Sequence, residues 1–207
     1  MTTNNFSTST IGWVALGTGI TVVLAVIFLM LMFTVSLSFG AVNDVLNGMF
    51  GIASAVLAWM LYAEHRAKSP LMSQIALTLA ILGAIFSIFG SVLILYGFTG
   101  FFLAGLYSSL GNALIGLWLV VFCFSMQRSD RLPHSLILFG FVVGAFMAFG
   151  LFGIPGIWAR IDSMAFMPWY LSVASIGWLG TYVLYPIWTI WLGRNLLRAW
   201  SNDRIPE

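Results

Sequence analysis

Asp44 is the acidic residue of this chain that falls at a hydrophobic segment; every other charge falls in a loop or in the tail. Asn47, Gly51 and Ser54 follow it at three- and four-residue spacing, which puts the four on one face of a helix. A second apolar run offers Ser108 and Asn112, four apart, then Gly116. A third offers Ser175 and, one heptad on, Tyr182. Asn112 lies about ten residues into its run, near mid-membrane at about 1.5 Å per residue. Carboxylate, amide and hydroxyl groups at such depth can bind a cation, a proton or a polar head group, because acids inside a membrane are costly and tend to be functional. Asp44, Asn47, Ser54, Ser108, Asn112, Ser175 and Tyr182 are therefore the candidate lining of an outward-facing polar cavity. Two simpler roles compete. Asn43 or Asp44 can cap the first turn of a helix starting there and complement its dipole. The other polar groups can bond helix to helix, each contributing ~0.6 kcal/mol on average.

Several chemistries lack their residues. His65 and His134 both fall in hydrophilic loops, so no histidine pair within the spans can hold a haem. No Cys–His or carboxylate–His cluster has metal-ligand spacing, and neither a metal nor a cofactor is expected. Asp130 and His134 are four apart but stand beside Arg128 and Arg131, which reads as a surface charge cluster. Lys68, the one lysine, is in a loop and cannot carry a Schiff base within a bundle. No Ser–His or paired intramembrane Asp arrangement suggests a protease, and no glycine-rich phosphate loop follows a strand. Cys123 is the single cysteine and sits in an apolar run as a small hydrophobe. A non-enzymatic protein is expected.

The elements that must position these residues follow from composition. The chain has 207 residues, 61% hydrophobic and 7% charged; a soluble domain is about 25% charged. So few charges cannot cover a water-facing surface, and the bilayer must be the solvent. Six runs reach the ~20 apolar residues a spanning helix needs: about Ile11–Thr34, Asp44–Ala63, Ser73–Phe98, Phe102–Met126, Ser135–Gly153 and Trp169–Leu192. The expected fold is all-α, a single six-span bundle over residues 1–207. Met1–Thr10 carries no Lys or Arg, and the run after it is too long for a signal-peptide core, so it reads as a retained first helix.

Charge gives the orientation. With six spans, Arg66, Lys68, Arg128, Arg131, Arg194, Arg198 and Arg204 fall on one side and Arg160 on the other. Basic residues near span ends favour the cytoplasm, so both termini are expected there. Arg66, Lys68, Arg128, Arg131, Arg194 and Arg198 are expected to meet anionic lipid head groups, at ~1 kcal/mol each. With no long basic run, nucleic acid is not an expected partner.

Residues 154–168 are apolar but too short to span, and read as a segment lying in the outer interface. Trp158, Trp169 and Tyr170 look like outer interfacial anchors, and Trp59, Tyr62, Trp188 and Trp191 inner ones. Tyr185-Pro186 should kink the sixth helix. Ala76, Ala80, Gly83, Ala84, Ser87 and Ser91 form one small-residue stripe; Gly140, Gly144 and Ala148 form another. Both are expected to pack helices within one chain. Asn43…Gly48 and Asn112…Gly116, each followed by a basic loop and a proline, hint at two parallel helix-pair copies.

The run GLWLVVFCFSMQRSDRLPHSLILFG and the ending YPIWTIWLGRNLLRAW resemble bacterial polytopic inner-membrane proteins of the domain-of-unknown-function type. The resemblance implies a bacterial inner-membrane location and carries no activity or site residues. Three functions are left open: binding a lipid or small amphiphile in the cavity, acting as an accessory or scaffold subunit beside other membrane proteins, or a small proton- or cation-coupled carrier using Asp44.

Overall fold

The computed structural model describes residues 6–65, 70–127, 132–163, 165 and 167–202, with backbone alone at Glu64, His65 and Asn202. Among the described residues, eight α-helices run α1 (Thr8–Thr34), α2 (Phe39–His65), α3 (Pro70–Leu95), α4 (Phe101–Met126), α5 (His134–Ala148), α6 (Ile154–Trp158), α7 (Trp169–Leu179) and α8 (Tyr185–Asn202). A 3-10 stretch, Phe149–Gly153, joins α5 to α6, and a π-helical turn, Gly180–Leu184, joins α7 to α8. Six stretches are thus long and apolar enough to cross a membrane: Thr8–Thr34, Phe39–Ala63, Pro70–Leu95, Phe101–Met126, His134–Trp158 and Trp169–Ser201. The chain is an all-α multi-pass membrane protein, with no strand among the described residues.

The spans pack in sequence order and close into a ring. α1 lies on α2, α2 on α3, α3 on α4 and α4 on α5; α5 meets α7 and α8, and α8 returns to α1. α4 also reaches α2 and α7, which makes it the most enclosed span. Outward faces carry large apolar side chains such as Ile20, Ile27, Ile52 and Ile85, a surface that suits lipid rather than water. With no hydrophobic force between helices in lipid, small residues decide where backbones meet. Both expected stripes act this way within the chain. Gly83 faces the Gly111 carbonyl, and Gly144 faces the Gly116 carbonyl. Gly12 on α1 faces Gly193 on α8, a ring-closing contact that the two stripes did not include.

Several helix ends differ from the expected ones. α2 begins at Phe39, not Asp44, because Phe39 and Gly40 already donate to the Ser36 and Leu37 carbonyls. Asn43 and Asp44 lie in its second turn, so the capping role does not apply, and the first turn of α2 holds no acidic residue. The fifth span does not stop at Gly153. Pro155 sits at the start of α6, where a missing N–H costs nothing, and the helix carries on to Trp158. The segment expected in the interface is thus partly the end of a span. The sixth span runs past Leu192 to Ser201, so Arg194 and Arg198 belong to α8 rather than to a tail. Both are exposed there, while Arg66, Lys68, Arg128 and Arg131 lie outside the described residues. The Pro186 disruption is absorbed as the π-turn just before it. Asn43 is the fifth residue of α2 and Asn112 the twelfth of α4, a mismatch in register that argues against parallel copies.

One long-range contact fixes the start of α4. Gly97 has φ 69° and ends α3 in a Schellman turn, with Phe98 donating to Leu93 (2.8 Å) and Gly97 to Ile94 (3.0 Å). α6 ends the same way through Arg160, at φ 50°. That turn brings Asp162 back over the N-terminus of α4. Its carboxylate accepts from the Gly100 amide at 2.6 Å and the Leu103 amide at 3.0 Å. Gly100 has no side chain to cap with, so Asp162 does so from sixty-two residues away.

Candidate functional site

The site lies at the end of the bundle where α1 and α3 finish and α2, α4 and α7 begin. Here the ring is not filled. A cavity of about 70 Å³ is lined by Leu29 and Phe33 of α1, Asn43, Asp44 and Asn47 of α2, and Gly90 and Ile94 of α3. α4 contributes Phe101, Phe102, Ala104, Gly105, Ser108, Ser109 and Asn112, and the sixth span adds Trp178 and Tyr182. A buried water needs about 10–15 Å³ of such space, so this is room for roughly five waters or a polar group of similar size.

Each polar residue is placed by its helix. Asn43, Asp44 and Asn47 follow the inward stripe of α2, which continues as Phe50, Gly51 and Ser54. Asp44 is 9% exposed, and its described hydrogen bond is a long one from Asn43 Nδ2 at 3.5 Å. Among the described residues, no lysine, arginine or histidine lines the cavity. Asn47 is held firmly: Tyr182 Oη donates to its Oδ1 at 3.1 Å, and Ser87 Oγ donates to its backbone carbonyl at 2.9 Å. Asn43 and Asn112 are not. The side-chain oxygens of both are buried without a hydrogen-bond partner. Each such group costs about 1–3 kcal/mol when left unmet. Asn112 stands eleven residues beyond Phe101, about 16 Å into α4.

Below the cavity the bundle is sealed by aromatic side chains. Phe50, Trp118, Tyr185 and Trp188 are all at most 1% exposed. Phe50 meets Tyr185 edge-on at 5.3 Å, and Trp188 meets Trp118 and Phe122 edge-on at 6.4 Å each. The polar ends of this floor are satisfied. Tyr185 Oη donates to Ser54 Oγ at 3.0 Å, and Trp188 Nε1 donates to the Leu136 carbonyl at 3.1 Å. Trp188 is therefore a packed member of the floor and not an interfacial anchor. Trp158 and Trp169 do stand out, at 84% and 72% exposed.

Of the residues singled out in the sequence, Asp44, Asn47, Ser108, Asn112 and Tyr182 come together around this cavity. Ser54 and Ser175 do not. Ser54 is used by Tyr185 in the floor. Ser175 donates to its own helix at the Ser172 carbonyl, 2.6 Å away, and faces a separate small gap beside Met167 and Leu171. Sequence reasoning missed Asn43, which it held as a cap, and the aromatic lining of Phe33, Phe101, Phe102 and Trp178. Trp178 could have been found, standing four residues before Tyr182 on one helical face.

Phe33 and Phe101 close over the mouth. Their rings meet edge-on at 6.4 Å, though α1 and α4 are not neighbours in the ring. The arrangement is thus a mostly apolar chamber holding a few polar groups, with aromatic side chains at one end and an aromatic floor beneath it. Among the described residues, no group of three or more His, Cys, Asp or Glu could hold a metal ion. No family model, no curated protein and no solved structure matches the chain.

Proposed function

We propose that this multi-pass membrane protein is a non-enzymatic binding protein that takes a small polar or amphiphilic molecule into the cavity beside Asp44. The observation that carries this reading is Asn112. It lies deep in the most enclosed helix, its buried side-chain oxygen has no hydrogen-bond partner, and the residue lines the same chamber as the buried Asp44 carboxylate. Polar groups that served only to join helices would be bonded to each other, as Tyr182 and Asn47 are. Drug-sized ligands occupy sites of about 300–1,000 Å³. The chamber therefore suits the polar end of a ligand, with any apolar remainder passing out between Phe33 and Phe101. We place the protein in a bacterial inner membrane with both termini cytoplasmic, which turns the mouth outward. The one-sided distribution of Arg and Lys supports this orientation.

A second reading, a cation-coupled carrier, draws support from the π-turn at Gly180–Leu184, which holds Tyr182 in the span most easily reshaped. It would require the floor to open. The scaffold reading rests on no observation of this kind.

Gly105 offers the test. It lines the cavity, and a Cβ placed on it meets nothing within 4 Å. Gly105→Phe should therefore fill the chamber without disturbing a backbone. Native mass spectrometry of gently extracted wild-type protein is expected to show a discrete added mass of metabolite or lipid size, absent from Gly105→Phe. No added mass on the wild type, or the same mass on both, contradicts the proposal. Co-migrating protein masses would make the chain a subunit instead.

A further inference from the structure

Resting on the reading of the chamber as a ligand site, we propose that the ligand carries a primary ammonium group on an apolar chain. Charge argues first. Asp44 is the charged residue of the lining, it is nine-tenths buried, and no basic side chain faces it there. A carboxylate so placed is relieved by a cation and further opposed by an anion. A phosphate-bearing head group finds no arginine or lysine among the lining residues. Geometry argues second. Asn43 is 2% exposed and Asn112 3%, and the side-chain oxygen of each is buried without a hydrogen-bond partner. Asn47 Oδ1 already accepts from Tyr182. A primary ammonium has three donors and no acceptor, which suits a lining whose charged group is the Asp44 carboxylate. Surroundings argue third. Phe33, Phe101, Phe102, Trp178 and Tyr182 line the chamber with aromatic rings, which suit a cation and give an apolar wall for the carbon chain attached to it. A bare alkali ion would satisfy the oxygens but leave that wall without a partner.

The test follows thermal unfolding of the purified full-length protein in detergent at fixed ionic strength. The probes are n-butylammonium, 1-butanol, tetramethylammonium and sodium, all as chloride salts where ionic. n-Butylammonium is expected to raise the Tm by about 5 °C at a hundredfold excess over its half-saturating concentration. 1-Butanol is expected to need at least about tenfold more, the factor one good charged contact supplies. Tetramethylammonium, a cation without N–H donors, is expected to give a clearly smaller shift than n-butylammonium, and added sodium none. Asp44→Asn should remove the ammonium response while its own Tm stays close to wild type. If that variant does not fold, the four probes on the wild type decide alone. An equal response to 1-butanol, abolished by Gly105→Phe, would overturn the ammonium assignment and leave the binding reading standing. An equal response to tetramethylammonium overturns the donor match, and one to sodium makes the site an alkali-ion site. No response to any probe, together with no added mass on the extracted protein, overturns both proposals.

Discussion

Gly116→Leu is expected to lower the Tm by about 6–12 °C, a loss of about 3 kcal/mol, while Gly17→Ala leaves it unchanged or slightly raised. The two glycines sit in helices of similar composition, so propensity alone would rank them together. Packing separates them. A Cβ on Gly116 meets the Cβ of Met147 and lies 2.8 Å from the Gly144 carbonyl. The second of these is backbone and cannot swing aside, so α4 and α5 must move apart. That shift would also tilt the helix that carries Ser108 and Asn112. A Cβ on Gly17 meets nothing within 4 Å. Thermal unfolding of the two variants in one detergent decides the matter. Equal Tm values would mean that close approach of α4 and α5 does not hold the ring.

Trp188→Ala is expected to cost about 3–5 kcal/mol, the range for removing a large buried aromatic. In a bilayer this loss is mostly packing, because lipid tails are as apolar as the side chain removed. Trp188 touches Trp118, Phe122 and Tyr185, and its indole N–H satisfies the Leu136 carbonyl from α5. Its removal empties the centre of the floor and orphans a backbone acceptor together. Trp158→Ala, at a residue 84% exposed, is the matched control and is expected within about ±0.5 kcal/mol. Chemical denaturation of both variants measures the difference. A Trp188→Ala variant as stable as the control would show that the floor is not packed as described.

The six spans were legible because a run of twenty apolar residues is a signal that survives any detail of packing. The polar face of α2 was legible for a related reason: Asp44 and Asn47 share a helical face wherever the helix begins. What misled was local chemistry overridden by neighbours. Asn43-Asp44 is a strong start signal, yet the turn at Ser36–Ser38 sets α2 going at Phe39 and leaves both residues inside it. The fifth run reads as ending at Gly153, but a 3-10 stretch carries the span through that residue into α6. Ser175 and Tyr182 are a heptad apart, which would align them on a regular helix. The π-turn at Gly180–Leu184 adds residues to one turn and rotates the face between them. Trp188 looked like an anchor because arginines follow it, though α8 runs well past Arg194 and Arg198 and leaves Trp188 in the interior. Asp162 gave no sequence signal for its capping of α4, since that contact spans sixty-two residues and depends on the turn at Arg160.

A chamber open to water at one end and closed by an aromatic floor predicts a one-sided pattern of single-cysteine accessibility. Cys123 is the one native cysteine and is buried, so Cys123→Ser supplies a clean background. Ser108→Cys would place a thiol in the chamber, and Ser54→Cys one in the floor. In sealed proteoliposomes of known orientation, a small membrane-impermeant cationic methanethiosulfonate is expected to modify Ser108→Cys from the face where α4 begins and from that face alone. Ser54→Cys should stay unmodified from both faces. Modification of Ser54→Cys at the rate of Ser108→Cys, or an unreactive Ser108→Cys, would contradict the account.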